Sequence, residues 1–362
     1  MRYPFYFKLA SVLVCLVFGT IILIYAKDFL LPLLISILIS FLLYPLCKKM
    51  EKKKIPPILA ISFSLLLVLF IFMFSLFLIS SQLSSMLSDM KNLNQIMAAK
   101  LNGLHDYITS NYNISNQTLN SWIVNAKSSL LGHSGEFLSG TFSTTTEILT
   151  YFGLVPVYVF CFLLYRKSFR DFAFSMLHTQ KHAKLNELLQ DIQKLSQNYL
   201  IGLFTVIAII GTLNTVGLWI IGVDYALFFG FFASLLTIIP YIGIFIGSLL
   251  PIAFSLLTMD SVWAPIGIII VFTLVQFLES NFITPKVVGS SVSINPFAAI
   301  VALLIGGELW GAAGMILSIP VTAILKVVFD SRTSTKAIGY FLGSELTDTR
   351  DNPADTLTKT EA

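Results

Sequence analysis

Charge is what this chain has least of. Only 12% of its 362 residues are charged while 56% are hydrophobic, against about 25% charged in an ordinary soluble domain. A soluble protein of this length could not cover its surface with so few charges. Cysteine is scarce too. Cys15, Cys47 and Cys161 all lie in or beside apolar runs, which excludes a disulfide framework and says little about redox compartment. No G-x-x-x-x-G-K-[ST] motif is present, so nothing points to ATP-driven work by this chain alone. Zinc-protease helices and paired-cysteine sites are also missing. His178 and His182 stand four apart, but in a polar, lysine-containing segment that reads as a solvated face. No metal, cofactor or enzymatic activity is expected. The net charge is +4, and the Lys and Arg sit beside apolar spans, which argues against nucleic acid as a partner and for a lipid bilayer.

Long apolar runs are what the chain does have. The mean hydropathy is +0.83, and several segments approach or exceed the ~18 nearly uncharged residues of a spanning helix. The expected fold is an all-α integral membrane protein. Six full spans fall at roughly 7–26, 29–47, 57–80, 148–165, 200–222 and 262–283. The first run, with Arg2 and Lys8 before it, imitates a signal peptide. Its exit, Ile24-Tyr25-Ala26-Lys27, has no small-x-small site, so it reads as a retained span.

Residues 1–81 hold the first three spans. Residues 82–147 are rich in Ser and Asn, with Leu83, Met86, Met90, Leu93, Met97, Leu101 and Leu104 spaced by three and four. That is an amphipathic helix with a narrow stripe, lying on the membrane or its own bundle, or between subunits. Residues 148–199 hold the fourth span and a polar linker helix. Residues 200–330 form the core, and 331–362 a polar tail read as disordered.

Two stretches of the core, 225–257 and 296–328, are about 33 residues long. A straight helix of that length would reach about 50 Å, yet the hydrocarbon core is about 30 Å thick. Two full crossings and a turn would need roughly 40 residues. A re-entrant helical hairpin fits both lengths, because irregular backbone at membrane depth is tolerated where protein or a wet cavity covers it. One long tilted or kinked helix is the competing reading. With the N-terminus inside, six spans and two hairpins put Lys48, Lys49, Lys52, Lys53, Lys54, Arg166, Lys167 and Arg170 on the inner face. The outer face keeps only Lys27, Lys91, Lys100 and Lys127, as the positive-inside rule requires. Both termini are then cytoplasmic and the 82–147 segment is extracytoplasmic.

The first hairpin carries Pro240, Gly243, Gly247 and Pro251 at spacings of three, four and four. Pro240 removes a backbone donor, and Gly243 with Gly247 allows close helix approach. Plain helix packing explains that pair equally well. The second hairpin carries Gly307, Gly311, Gly314 and Ser318, then Pro320. Glu308 sits between glycines at a depth of roughly 18 Å, where a carboxylate needs a partner, a proton or water. It reads as a substrate or proton site, or as a structural carboxylate at a hairpin tip. Glu279 follows Gln276 by three residues, so the two share a helix face, though Glu279 could snorkel to the interface. Asn281 and Pro285 break the inner end of that span. Asn214 lies in a polar patch with Gly211, Thr212 and Thr215, which suits a substrate path or helix–helix hydrogen bonding.

The blocks P-Y-I-G-I-F-I-G-S-L-L-P (Pro240–Pro251), N-F-I-T-P-K-V-V-G (Asn281–Gly289) and N-P-F-A-A-I-V-A-L-L-I-G-G-E-L-W-G-A-A-G-M-I-L-S-I-P-V (Asn295–Val321) resemble the autoinducer-2 exporter family of bacterial permeases. Their order and spacing are more specific than any single block. The resemblance is strong over 195–330 and looser before that. It implies a bacterial inner-membrane protein that assembles as a homo-oligomer, with a pentamer as one such assembly. It also implies export of autoinducer-2 or another small solute, with some members resembling sodium–proton antiporters. Gly243, Gly247, Pro251, Pro285, Gly307, Gly311, Gly314 and Pro320 fall on the family pattern. Two positions depart from it. Asn295 stands where many members carry His, and Leu203 where many carry Gln. Any proton step would therefore fall to Glu308 or Glu279.

Three functions follow for weighing. The first is a secondary transporter of a small polar solute. The second is a cation–proton antiporter using Glu308, weakened by the lack of an Asp-Asp pair in any span. The third is a non-transporting scaffold or receptor, which has little need of broken helices.

Overall fold

The computed structural model describes residues 4–89, 153–176, 182–238, 242–259, 261–289 and 293–343. Twelve α-helices are described: α1 (Phe5–Tyr25), α2 (Lys27–Lys52), α3 (Pro57–Asp89), α4 (Gly153–Leu164), α5 (Arg166–Ser175), α6 (His182–Ile221), α7 (Ala226–Leu236), α8 (Ile242–Thr258), α9 (Trp263–Leu278), α10 (Thr284–Val287), α11 (Pro296–Asp330) and α12 (Lys336–Leu342). No strand occurs among the described residues. By length and composition five stretches are long and apolar enough to cross a membrane: Lys27–Lys52, Pro57–Met86, His182–Ile221, Trp263–Val287 and Pro296–Asp330, the last of them broken at Trp310 and Gly311. This is a helical, multi-pass membrane protein. The expected amphipathic segment 82–147 lies outside the described residues beyond Asp89, where α3 ends. The polar linker helix and the fifth span form one continuous helix, α6, of 40 residues. The chain divides into two compact units, one of residues 1–65, 158–206 and 280–362, the other of 66–157 and 207–279.

In the first unit, α2 carries Pro32 and Pro45 inside it. A helical proline lacks the N–H that would reach the carbonyl four residues back. For Pro45 that carbonyl belongs to Phe41, and the Gln197 side-chain amide of α6 donates to it at 2.7 Å. The end of α2 turns at Lys54, whose φ is 65°. Pro56 and Pro57 follow, the second at the first position of α3, where its missing donor costs nothing. Arg166, at the start of α5, binds both oxygens of Glu51 through Nη2.

Helix α11 is a hairpin of two helical arms. Trp310 (φ −136°, ψ 16°) and Gly311 (φ 62°, ψ −141°) leave helical geometry. A methyl group on Gly306 would meet the Gly314 backbone carbonyl, and one on Gly314 would meet that of Gly306. Eight residues of straight helix would separate those positions by about 12 Å, so the chain folds back. The arms, 296–309 and 312–330, are about 21 Å and 28 Å long. Trp310 Nε1 donates to the Leu23 carbonyl at 2.9 Å, joining the turn to the last residues of α1. The hairpin is capped by Asn295, whose side-chain oxygen accepts from the Ala298 N–H at 2.7 Å. Its Nδ2 donates to the Phe341 and Gly343 carbonyls at 2.6 and 3.1 Å. Asn295 is thus the joint between the hairpin and α12. The segment expected to be a disordered tail from 331 begins with this short helix.

In the second unit, α6 ends in a Schellman turn. The Val223 N–H reaches the Leu218 carbonyl and the Gly222 N–H the Trp219 carbonyl, both at 3.0 Å. Gly222 supplies the positive φ, 85°. Leu218 and Val223 close the turn by entering a core with Phe228, Phe229, Phe254 and Phe272. Helices α7 and α8 form the other hairpin. Gly243 abuts the Leu236 carbonyl, and a methyl on Gly247 would stand 2.8 Å from the Ala233 Cβ. Both glycines of the small-residue pair therefore face the opposite arm. Pro251 is fully buried, while Pro240 lies outside the described residues.

Candidate functional site

The polar patch of α6 is carried to α7 by close backbone approach. A methyl on Gly211 would lie 2.8 Å from Ser234 Oγ, and one on Gly230 would lie 2.6 Å from the Thr215 nitrogen. Small residues on both helices permit that distance, and it sets Asn214 beside the first hairpin. Asn214 is 3% exposed. It lines a cavity with Thr237, at the end of α7, and Gln276, on α9; Ile210, Ile244 and Phe272 supply apolar walls. The cavity has room for about one water.

The hydrogen bonds around this cavity are incomplete. Ser234 donates to the Phe231 carbonyl at 2.9 Å and Thr237 to the Ser234 carbonyl at 2.6 Å. Gln276 hydrogen-bonds the Glu279 carboxyl. Asn214 Oδ1, Thr215 Oγ1 and Glu279 Oε2 are buried without any partner. Buried side-chain oxygens are nearly always satisfied by protein or ordered water. Of the three, Asn214 Oδ1 belongs to a residue lining the cavity, and among the described residues it is left for a donor such as water or a solute hydroxyl. Glu279 also opens a π-helical turn, Glu279–Ile283, at the end of α9. Such single turns occur frequently at functional sites. Pro285, just beyond it, removes the N–H that would have reached the Asn281 carbonyl and continued the regular ladder.

Three of the five expected binding residues, Asn214, Gln276 and Glu279, thus come together in one unit. The other two belong to the other unit. Asn281 is exposed. Glu308, also in that unit, is exposed and has no hydrogen-bond or ion-pair partner among the described residues, two residues before the turn of α11. Thr237 was not among the expected binding residues. Its signal was available: it is the last polar side chain before a proline in an otherwise apolar run. The described residues hold no cluster of three metal-ligating side chains. His182 meets the Phe174 carbonyl at 3.0 Å through Nε2, and His178 lies outside the described residues. A separate, open cleft of about 410 Å³ lies in the first unit, where Lys184, Glu187, Asp191 and Lys194 of α6 face Asp330.

A family model described as AI-2E family transporter matches residues 13–333. YrrI of Bacillus subtilis, named for transport, is 28% identical over 83% of this chain and 86% of its own length. YueF of the same organism, also named for transport, is 27% identical over 82% of both chains. The Escherichia coli protein named AI-2 transport protein TqsA is 22% identical over 88% of this chain and 90% of its own length.

Proposed function

The chain belongs to the AI-2E transporter family, and on that premise we propose that it is a secondary transporter exporting a small polar solute, autoinducer-2 or a related molecule. The observation that carries this reading is the unpartnered, buried Asn214 Oδ1 at the cavity shared with Gln276 and Thr237. An apolar side chain there would cost less in stability, since an unmade buried hydrogen bond costs about 1–3 kcal/mol. A hydroxyl group of a solute reaching this cavity, which itself has room for about one water, would supply the missing donor. Both hairpins are re-entrant in this reading, their small residues letting arms pack while broken ends leave polar groups at depth. The protein sits in a bacterial inner membrane with both termini cytoplasmic, as a homo-oligomer, with a proton or sodium ion coupled to export.

Cation–proton antiport is a second reading, favoured by Glu279 Oε2, which is buried without a partner among the described residues, and by the exposed Glu308. Purified protein in proteoliposomes separates the two. Gradient-driven movement of autoinducer-2, lost in Asn214→Leu, supports export. Sodium-driven proton flux, lost in Glu279→Gln or Glu308→Gln, supports antiport. Neither flux above empty liposomes would sink both.

A further inference from the structure

One face of helix α5 is largely uncovered among the described residues, although the Phe169 ring meets that of Phe162 at 5.7 Å. Tyr165, Phe169, Phe172 and Met176 recur at four, three and four, which stacks them on one side of the helix. All four are more than half exposed, from 52% to 71%. The opposite side is occupied. Phe174 is half-buried, and its ring meets the His182 ring edge-on at 5.0 Å. The aromatic row therefore points away from the start of α6.

Positive charge borders the row. Lys167 and Arg170 are exposed on α5, and five lysines lie between residues 48 and 54 at the end of α2. The two groups are fixed to one another. Arg166 is held by Glu51, and its guanidinium lies 5.4 Å from the Tyr44 ring, which Lys48 approaches at 5.6 Å. Glu51 is engaged by Arg166, leaving Asp171 as the local acid. Its 3.5 Å contact with Arg170 is exposed on both sides, and such pairs contribute little.

We propose that α5 lies in the plane of the membrane interface and binds the headgroups of anionic phospholipids. A short helix with an aromatic row and flanking Lys and Arg sits with its apolar side at the boundary of headgroups and acyl chains. Each basic residue near that surface is attracted by anionic lipid. A second copy related by a two-fold axis fits the face less well. A two-fold contact sets like surface against like, which would press these lysines and arginines together out of water.

The test uses the full-length, purified protein and native mass spectrometry with equimolar phosphatidylglycerol and phosphatidylethanolamine. The wild type should retain phosphatidylglycerol preferentially. In Lys167→Gln/Arg170→Gln that preference should fall about thirtyfold, with phosphatidylethanolamine adducts unchanged. A second variant, Phe172→Trp, keeps the charges and is reconstituted in vesicles of phosphatidylglycerol with brominated acyl chains. The emission it adds over the parent should be quenched. An unchanged lipid preference in the double variant would overturn the proposal. Added emission that escapes quenching would do so too, since the row would then be covered by protein.

Discussion

The Gln197 side-chain amide donates to the Phe41 carbonyl at 2.7 Å, the one backbone acceptor of α2 that Pro45 leaves unserved. A proline kink in one helix is thus completed by an amide on another. Gln197→Leu should destabilise the protein by about 1–3 kcal/mol, read as a lower melting temperature in detergent. Adding Pro45→Ala restores a local donor and should recover much of the loss. If the double variant melts no higher than Gln197→Leu alone, the amide serves another purpose.

Gly311 occupies φ 62°, ψ −141°, a region essentially restricted to glycine. Gly311→Ala has open space around the new methyl group, so backbone strain alone is at issue, about 1–3 kcal/mol. No neighbouring glycine can take over the turn, because Ala312 and Ala313 follow and Trp310 precedes. A fall of several degrees in melting temperature is expected, and an unaltered melt would contradict the reversal at this residue.

Asn214→Leu should separate stability from transport. Removing an unpartnered buried oxygen should leave the melting temperature equal to or above wild type. Solute flux in proteoliposomes should fall tenfold or more, about 1.4 kcal/mol of lost interaction. A variant that melts early would mark Asn214 as a structural residue instead.

The Glu51–Arg166 pair has 21% side-chain exposure on each partner. Glu51→Gln removes the counter-charge from a half-buried guanidinium and should cost about 2 kcal/mol. Glu51→Gln/Arg166→Gln should cost less than that single change, because leaving one charge without its partner is worse than removing both. Thermal melts of the two variants side by side decide this.

Much of the architecture could be read before any fold was known. The apolar runs announced a helical membrane protein, and the Gly-Pro pattern of 225–257 and 296–328 matched the two helical hairpins, α7 with α8 and α11. Asn295, by contrast, looked like a departure at a proton-handling position, and in the fold it is a helix cap bonded to the chain around α12. Glu308 stood out by depth, yet depth is a count along one helix and says nothing about what lies beside a side chain. Gln276 and Glu279 were paired correctly, because a spacing of three on a helix is a local property.

Residue order alone was enough to set the class of protein and where its helices break. A bilayer acts on each segment separately, through hydropathy, length and missing backbone donors, and those are properties of neighbouring residues. It took the packed chain to bring Asn214 and Gln276 to one cavity, and to set Gln197 against Phe41. Those pairs lie far apart in the chain. Which faces meet depends on how closely glycine-bearing helices can pack, and no single helix records that.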